Sequence, residues 1–509
     1  MGLESFNKRS RGPLFQRLAG QPFDLLIIGG GITGASIFRD AALRGMSVAL
    51  LEANDFAAGT SGRSSKLIHG GFRYLRNLRF RLVWESCHER NLQVRLNKRL
   101  VKPLPFLMPL YEGGSISGTK LRIGMWLYEM MSGFNNYRFH RFLGREETLL
   151  QAPGLLRQGL LGGMLYYDAI VSDNRWTLET VKDGVRAGGI AINHAPVTGL
   201  IKTGNTVIGA TGVDSIGGAT YEVRFKAVVN ATGVWADRIR KLDRAEVTDL
   251  VKLSRGTHLV FASSDVPLTV STAFISPIDG RALFLIKQNG CFLYGTTDNW
   301  TDTNPDAPIP GREDVEYLLE SLRLFMPDSH LKRENIRFIY SGFRGLPVTD
   351  GKDLDPSSVT REDYIEVAPS GLITVVGGKL TTARIMAIRV LEKVMRSLGD
   401  SGQWSPCETH QLPLGGANEA IAPTGQKVEP VSSEIAYLCR NEMACTLEDL
   451  MERRLALLDW SNEERLERIR DLSTLVRDEL DMQEEEFEQS YRDYQQHLST
   501  LHSIPDAMR

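Results

Sequence analysis

No Cys-x-x-Cys pair occurs in this chain, and its five cysteines, Cys87, Cys291, Cys407, Cys439 and Cys445, are odd in number. That argues against a zinc site or a disulfide framework and for a reducing compartment. Net charge is nearly absent too, at −2 over 509 residues. No global field therefore draws the chain to nucleic acid. A bilayer-spanning helix needs about 18 or more consecutive apolar residues, and no such run exists. The opening MGLESFNKRSRGPLFQRLAGQ is basic but lacks the apolar core of a secretory signal. Internal repeats and low-complexity tracts are not visible.

What is present has an ordinary soluble composition, 42% hydrophobic and 24% charged, long enough for about two to four domains. The charge is unevenly spread. Arg and Lys crowd the stretch 62–145, where only Glu85, Glu89, Glu112 and Glu129 are acidic, and the tail segment DMQEEEFEQ offsets them.

FDLLIIGGG, from Phe23, reads as a buried parallel strand ending in glycines. ITGASIFRDAALRG follows with helical spacing and a C-cap glycine at Gly45, and MSVALLEA supplies a second strand. Gly29-x-Gly31-x-x-Gly34 thus sits between strand and helix. Its glycines permit a tight turn, a close pyrophosphate and close helix–strand packing. Glu52, 18 residues after Gly34, is placed to accept from a ribose hydroxyl. The motif fits NAD or FAD. VVNATGVWAD, with Gly233, and VVGGKLTTARIMA, with Gly377, Gly378, Thr381 and Thr382, bring two further glycine turns toward the dinucleotide. A helix start aimed at a flavin ring stabilises negative charge on it, which favours FAD.

Further along, 81–100 reads as an amphipathic helix, VKPLPFLMPLY as extended chain, LRIGMWLYEMM as a helix and 190–230 as a β-meander returning to a strand. From about Gly399 a linker-like stretch leads to a charged helical segment, Ile435 to Leu498. SSKLIHGGFRY, Ser64 to Tyr74, sets Lys66, His69 and Arg73 around the Gly70-Gly71 pair. Cations beside a bent backbone suit an anionic ligand, although an arginine in a loop is more often a surface charge.

The segment Asp24–Leu75 together with RIGMWLYEMM, NATGVWAD, RGTHLVF, GTTD, YSGFRGL, TRED and GGKLTTAR resembles the FAD-dependent glycerol-3-phosphate dehydrogenases of the respiratory, quinone-linked type, in the D-amino-acid-oxidase-like group. The resemblance implies an α/β fold: a Rossmann-like FAD-binding domain, an inserted β-rich substrate domain and a C-terminal helical domain. The expected division is an N-terminal extension 1–22, a discontinuous FAD-binding domain 23–101, 160–250 and 340–398, a substrate or cap domain 102–159 and 251–339, and a shortened helical domain 399–509.

Carried over position by position, the resemblance implies substrate contacts at Arg73, Tyr74, His258, Arg344, Arg361, Lys379 and Thr381. His258, Lys379 and Arg344 would be catalytic, with His69 the competitor of His258 for the base. Flavin contacts would come from Gly29, Gly31, Gly34, Glu52, Thr60, Ser61, Ser64, Ser65, Lys66, Leu67, His69, Gly233, Gly378, Lys379, Leu380 and Thr381. Asp298 would orient a base or serve structure. The implied reaction oxidises glycerol 3-phosphate to dihydroxyacetone phosphate and passes electrons to a quinone. Oxygen as acceptor, another anionic hydroxy substrate, and a flavin-binding protein without turnover are the alternatives. No metal is expected. The expected partners are glycerol 3-phosphate, a quinone or other acceptor, an anionic membrane surface met by the basic stretch and LRIGMWLYEMMSGF, and a second copy in a homodimer. The two readings of location are free in the cytoplasm and peripheral on the cytoplasmic membrane face.

Overall fold

The structure is a computed structural model. It describes residues 6–20, 22–75, 78–114, 117–288, 290–348, 356, 359, 362–399, 403–415, 432–457 and 460–502; of Arg73 only the backbone is described.

Phe23–Ile28 is the strand its apolar run predicts, and Leu25, Leu26 and Ile27 are completely buried. Burying such side chains contributes about 1.5–3 kcal/mol each. The strand lies between Val48–Leu51 and Thr220–Asn230, parallel to both. Leu372–Gly377 and Ile190–Ile192 extend the sheet in parallel, and Asp363–Val367 closes one edge antiparallel. The antiparallel Val197–Thr203 and Thr206–Val213 branch from the long strand, which is the meander read from the sequence. The register brings three strand ends together. Ile28 pairs with both Leu51 and Asn230, so Gly29, Glu52 and Ala231 leave the sheet side by side at its carboxyl edge. Helices Ile32–Leu43 and Ala383–Ser397 pack onto this sheet through Ile37, Ala41, Met386, Val390 and Val394.

Among the described residues, the second sheet has ten strands. Val251–Ala262 pairs antiparallel with Ile336–Pro347 along nearly its whole length, and Lys102–Tyr111 pairs with Leu160–Ile170. The stretches 160–170 and 340–347, grouped by the sequence expectation with the FAD-binding domain, are therefore strands of this second sheet. Backbone pairing partners decide that membership, and periodicity along one strand carries no information about its partner.

Most of the described residues between 432 and 501 are helical, as the charge pattern suggests. This region packs Ile435, Leu438, Trp460, Phe487 and Leu498 with Phe338 and Tyr340 of the second sheet. Its other attachment is ionic. Arg453 and Arg454 both reach buried Asp55, and Glu442 bridges Arg175 and Lys182. The extension before Phe23, unassigned by sequence, forms a helix Arg11–Gly20. Arg11 pairs with Asp214, and Lys8 donates to the Leu480 carbonyl at 2.8 Å.

Candidate functional site

Gly29 has φ of +111°, and a Cβ there would stand 2.6 Å from the Ala231 carbonyl oxygen. Gly34 is tighter: its Cβ would lie 1.9 Å from the Gly29 carbonyl oxygen. These are the turn and helix–strand contacts that the motif requires. Gly31 caps the helix Ile32–Leu43 in extended conformation, leaving the helix N-terminus open toward the crevice. Ser61 braces it by accepting from Ile32 N at 2.8 Å. Glu52 accepts from Gly30 N and Asn54 N. Burial pushes its carboxyl up while those two donors pull it back.

The crevice opens into one cavity of about 1530 Å³ that runs between the two sheets. Ordinary ligand pockets occupy about 300–1,000 Å³, so a dinucleotide and a second small molecule both have room. Gly29, Gly31, Glu52, Thr60, Ser61, Ser64, Ser65, Leu67, His69, Gly233, Gly378, Leu380 and Thr381 line it, as do Tyr74, His258, Arg344 and Lys379. Two expected flavin contacts lie elsewhere. Gly34 is packed under the crevice floor. Lys66 is turned away from the cavity and buried against Asp173. Arg361 falls outside the described residues, and for Arg73 only its place in the turn Phe72–Leu75 is known.

The turn preceding it is shaped by packing. Gly71 has φ of +78°, with the Tyr74 ring where a Cβ would project. Gly70 N donates to Asp168 at 3.1 Å, and Asp168 is held in turn by Arg90 and Tyr128. Lys379 Nζ lies 4.4 Å from the Tyr74 ring centre and donates to Ser86 Oγ at 2.8 Å. Thr381 Oγ1 accepts from His69 N at 3.1 Å. Arg344 reaches the cavity from the opposite sheet. It donates to Thr296 Oγ1 at 3.2 Å and to Thr297 O and Asp298 Oδ1 at 3.3 Å. Asp298, left open by the sequence, thus orients Arg344, itself steadied by Ser254.

His258 sits between Gly295 and Tyr340 on the neighbouring strands, its ring 4.9 Å from that of Tyr340 and inclined 20°. Its Nε2 is 2.9 Å from Ser65 Oγ. Burial, then the charges of Arg344 and Lys66, lower its pKa well below the ordinary value, so the imidazole is neutral near pH 7. Asp173, Asp168, Ser86 and Tyr340 are the residues that sequence reasoning missed. Each acts by holding a motif residue from a distant part of the chain, a signal that motif spacing does not carry.

A parallel sheet ending in a glycine-lined crevice with Lys379 just past one strand end, faced by a mainly antiparallel sheet that supplies Arg344 and His258, is the frame of a flavin-dependent oxidoreductase. Residues 24–386 match the family model for FAD dependent oxidoreductases. An aerobic glycerol-3-phosphate dehydrogenase of Staphylococcus haemolyticus is 35% identical over 421 residues, spanning 82% of this chain and 75% of that one. Its counterpart in Bacillus subtilis is 34% identical over 463 residues, 91% of this chain and 82% of that one. Among solved structures, the glycerol-3-phosphate dehydrogenase of Bacillus halodurans complexed with FAD superposes with a TM-score of 0.80 at 27% identity, covering 97% of this chain and 98% of the other. The chain belongs to the FAD-dependent oxidoreductase family, in the branch of the aerobic glycerol-3-phosphate dehydrogenases. Its cofactor is FAD.

The crevice geometry gives a direct check. Gly31→Val projects a branched side chain toward Ser61 Oγ, which a Cβ alone would approach to 3.0 Å, at the open helix end. Purified Gly31→Val protein is expected folded but with less than about a tenth of the wild-type flavin absorbance, because backbone approach to pyrophosphate is blocked. Normal loading would refute the placement of the phosphates.

Proposed function

We propose that the chain oxidises sn-glycerol 3-phosphate to dihydroxyacetone phosphate and delivers the electrons to a membrane-dissolved quinone. The observation that carries this reading is the arrival of Arg344, Lys379 and His258, from two different sheets, at one cavity continuous with the dinucleotide crevice. The names of the relatives point to the same substrate.

Bound FAD supplies the hydride acceptor. The chain's own residues do the rest. A phosphate monoester carries nearly two negative charges near neutral pH. The planar fork of Arg344 and the ammonium of Lys379 suit it. Lys379 lies over the Tyr74 ring, and the glycine turns 70–71 and 377–378 let the backbone pass close to the cavity. Neutral His258 offers a proton acceptor for the C2 hydroxyl as the C2–H pair leaves. Arg344 and Lys66 destabilise the imidazolium so formed and favour prompt release of the proton.

The acceptor and membrane readings rest on the surface. Ile123, Trp126 and Met130, spaced 3 and 4 apart on the helix Gly118–Met131, are more than half exposed. Trp84, Phe134, Tyr137 and Phe139 are also exposed nearby, among exposed Arg79, Arg81, Lys120, Arg122, Arg138 and Arg141. A monomer seldom leaves such a patch open to water. Apolar tips amid cations suit an anionic bilayer. Among the described residues, no helix is long and apolar enough to cross one. Lys120, Leu121, Ile123, Gly124 and Leu127 of the same helix also line the cavity, which gives a lipid-soluble acceptor a route. A homodimer remains part of this reading, as does the division into a discontinuous FAD-binding domain, an inserted substrate domain and a helical C-terminal domain, without the boundaries first expected around 160–170 and 340–347.

Anaerobic mixing with glycerol 3-phosphate is expected to bleach the bound flavin, and a quinone analogue in vesicles of anionic phospholipid is expected to restore the colour faster than dissolved oxygen. Flavin that stays oxidised would refute the substrate. Faster recovery with oxygen would refute the acceptor.

A further inference from the structure

His258 retains 2% of its surface. Its Nδ1 is sealed, with no hydrogen-bond partner among the described residues. The strand partners Gly295 and Tyr340 flank the ring on either side. Nε2 faces Ser65 Oγ at 2.9 Å. Ser65, by contrast, is half-buried and lines the cavity. Its placement is firm, since Tyr340 donates to the Ser64 carbonyl at 2.8 Å and both Ser64 N and Oγ donate to buried Asp173. Both residues reach the cavity wall, and the hydroxyl engages the one ring nitrogen that has a partner. A hydroxyl donates and accepts at once, so it can receive one proton while giving up another.

We propose that Ser65 relays the proton from the C2 hydroxyl of the substrate to His258 Nε2. The inference rests on the reading of the site as oxidising a secondary alcohol. In the step, the substrate O–H bond breaks and its proton joins Ser65 Oγ. The Ser65 O–H bond breaks and that proton joins Nε2, leaving Ser65 neutral and His258 an imidazolium. The C2–H pair departs as hydride to FAD, which takes up both electrons, and the C2–O bond becomes a carbonyl. The charged groups around His258 are Arg344, held by Asp298, and Lys66, held by Asp173. The two cations oppose the imidazolium, so the proton returns through Ser65 to the cavity once product leaves.

The test compares wild-type, Ser65→Ala and Ser65→Thr holoenzymes in anaerobic flavin reduction by glycerol 3-phosphate, in water and in deuterium oxide. General acid–base groups contribute about 10²–10⁴-fold. Ser65→Ala is expected to reduce about 10²-fold more slowly, with substrate affinity within about twofold of wild type and a diminished solvent isotope effect. Ser65→Thr is expected to recover most of the rate. Histidine ¹⁵N resonances, read without turnover, are expected to shift at His258 Nε2 in Ser65→Ala and not in Ser65→Thr. If alanine weakens flavin retention, Ser65→Val against Ser65→Thr gives the same comparison at constant shape. Wild-type reduction rate and isotope effect in Ser65→Ala, or an effect on affinity alone, would overturn the relay while leaving the substrate reading intact. A wild type that glycerol 3-phosphate does not reduce overturns the substrate reading itself and the relay with it.

Discussion

Arg344→Ala lowers kcat/KM for glycerol 3-phosphate by about 10³-fold, and the flavin content of the purified protein stays at the wild-type level. The size follows from the setting. Removing one partner of a desolvated charge pair costs about 3–5 kcal/mol, and each 1.4 kcal/mol is a factor of ten. Three-quarters of the Arg344 side chain is already covered, and its contacts to Thr296, Thr297 and Asp298 are long, at 3.2–3.3 Å. These contacts aim the side chain at the cavity, where a phosphate can compete for its fork. Arg344→Lys is expected to recover only part of the loss, since an ammonium keeps the charge but not the bidentate geometry. Asp298→Asn, which keeps the shape and removes the charge that orients the guanidinium, falls between wild type and Arg344→Ala. Steady-state kinetics with a flavin absorbance ratio measures all three. Equal loss of flavin would mean that Arg344 supports the cofactor and not the substrate.

The second large effect is on stability. Glu442→Gln is expected to destabilise the fold by about 3–5 kcal/mol, the cost of leaving buried charge unpaired. Glu442 is fully buried and joins Arg175 at 2.6 Å and Lys182 at 2.9 Å, with Glu179 completing a neutral group of four. Burial pushes its carboxyl up, but Arg175 and Lys182 override this and bring it down to about 2. A carboxyl with a folded value below its unfolded value of 4.5 stabilises fully above pH 4.5, and that share is lost as pH falls toward 2. Wild type should therefore lose its advantage over Glu442→Gln across that window. Thermal unfolding at pH 7 and pH 3 reads both statements. A difference that grows in acid would mean that the Glu442 cluster does not fasten the C-terminal helices to the helix Asp173–Arg186.

The glycine fingerprint was legible because each glycine answers a local steric demand, as Gly29 against Ala231 and Gly34 against Gly29 demonstrate. The apolar run of Phe23–Ile28 and the Ala-rich helix after it were legible for the same reason: their signal is contained in a few neighbouring residues. Sheet membership was not. The stretches 160–170 and 340–347 were expected in the FAD-binding domain, and only long-range pairing assigns them to the second sheet. Lys66 shows the limit at the site. Its place among Ser64, Ser65 and His69 suggests the cavity, yet its own φ of +57° turns it to Asp173, more than 100 residues away. Asp298 gained its role only from contact with Arg344, 46 residues on. The resemblance supplied the site residues that local physics alone would have left as surface charges.

Anaerobic titration of the bound flavin with sn-glycerol 3-phosphate, set beside glycerol, tests the central claim that paired cations hold a phosphorylated alcohol against the cofactor. Complete bleaching by the ester, with glycerol at the same concentration leaving the spectrum oxidised, is the predicted result. Bleaching by both alike, or by neither, would contradict it.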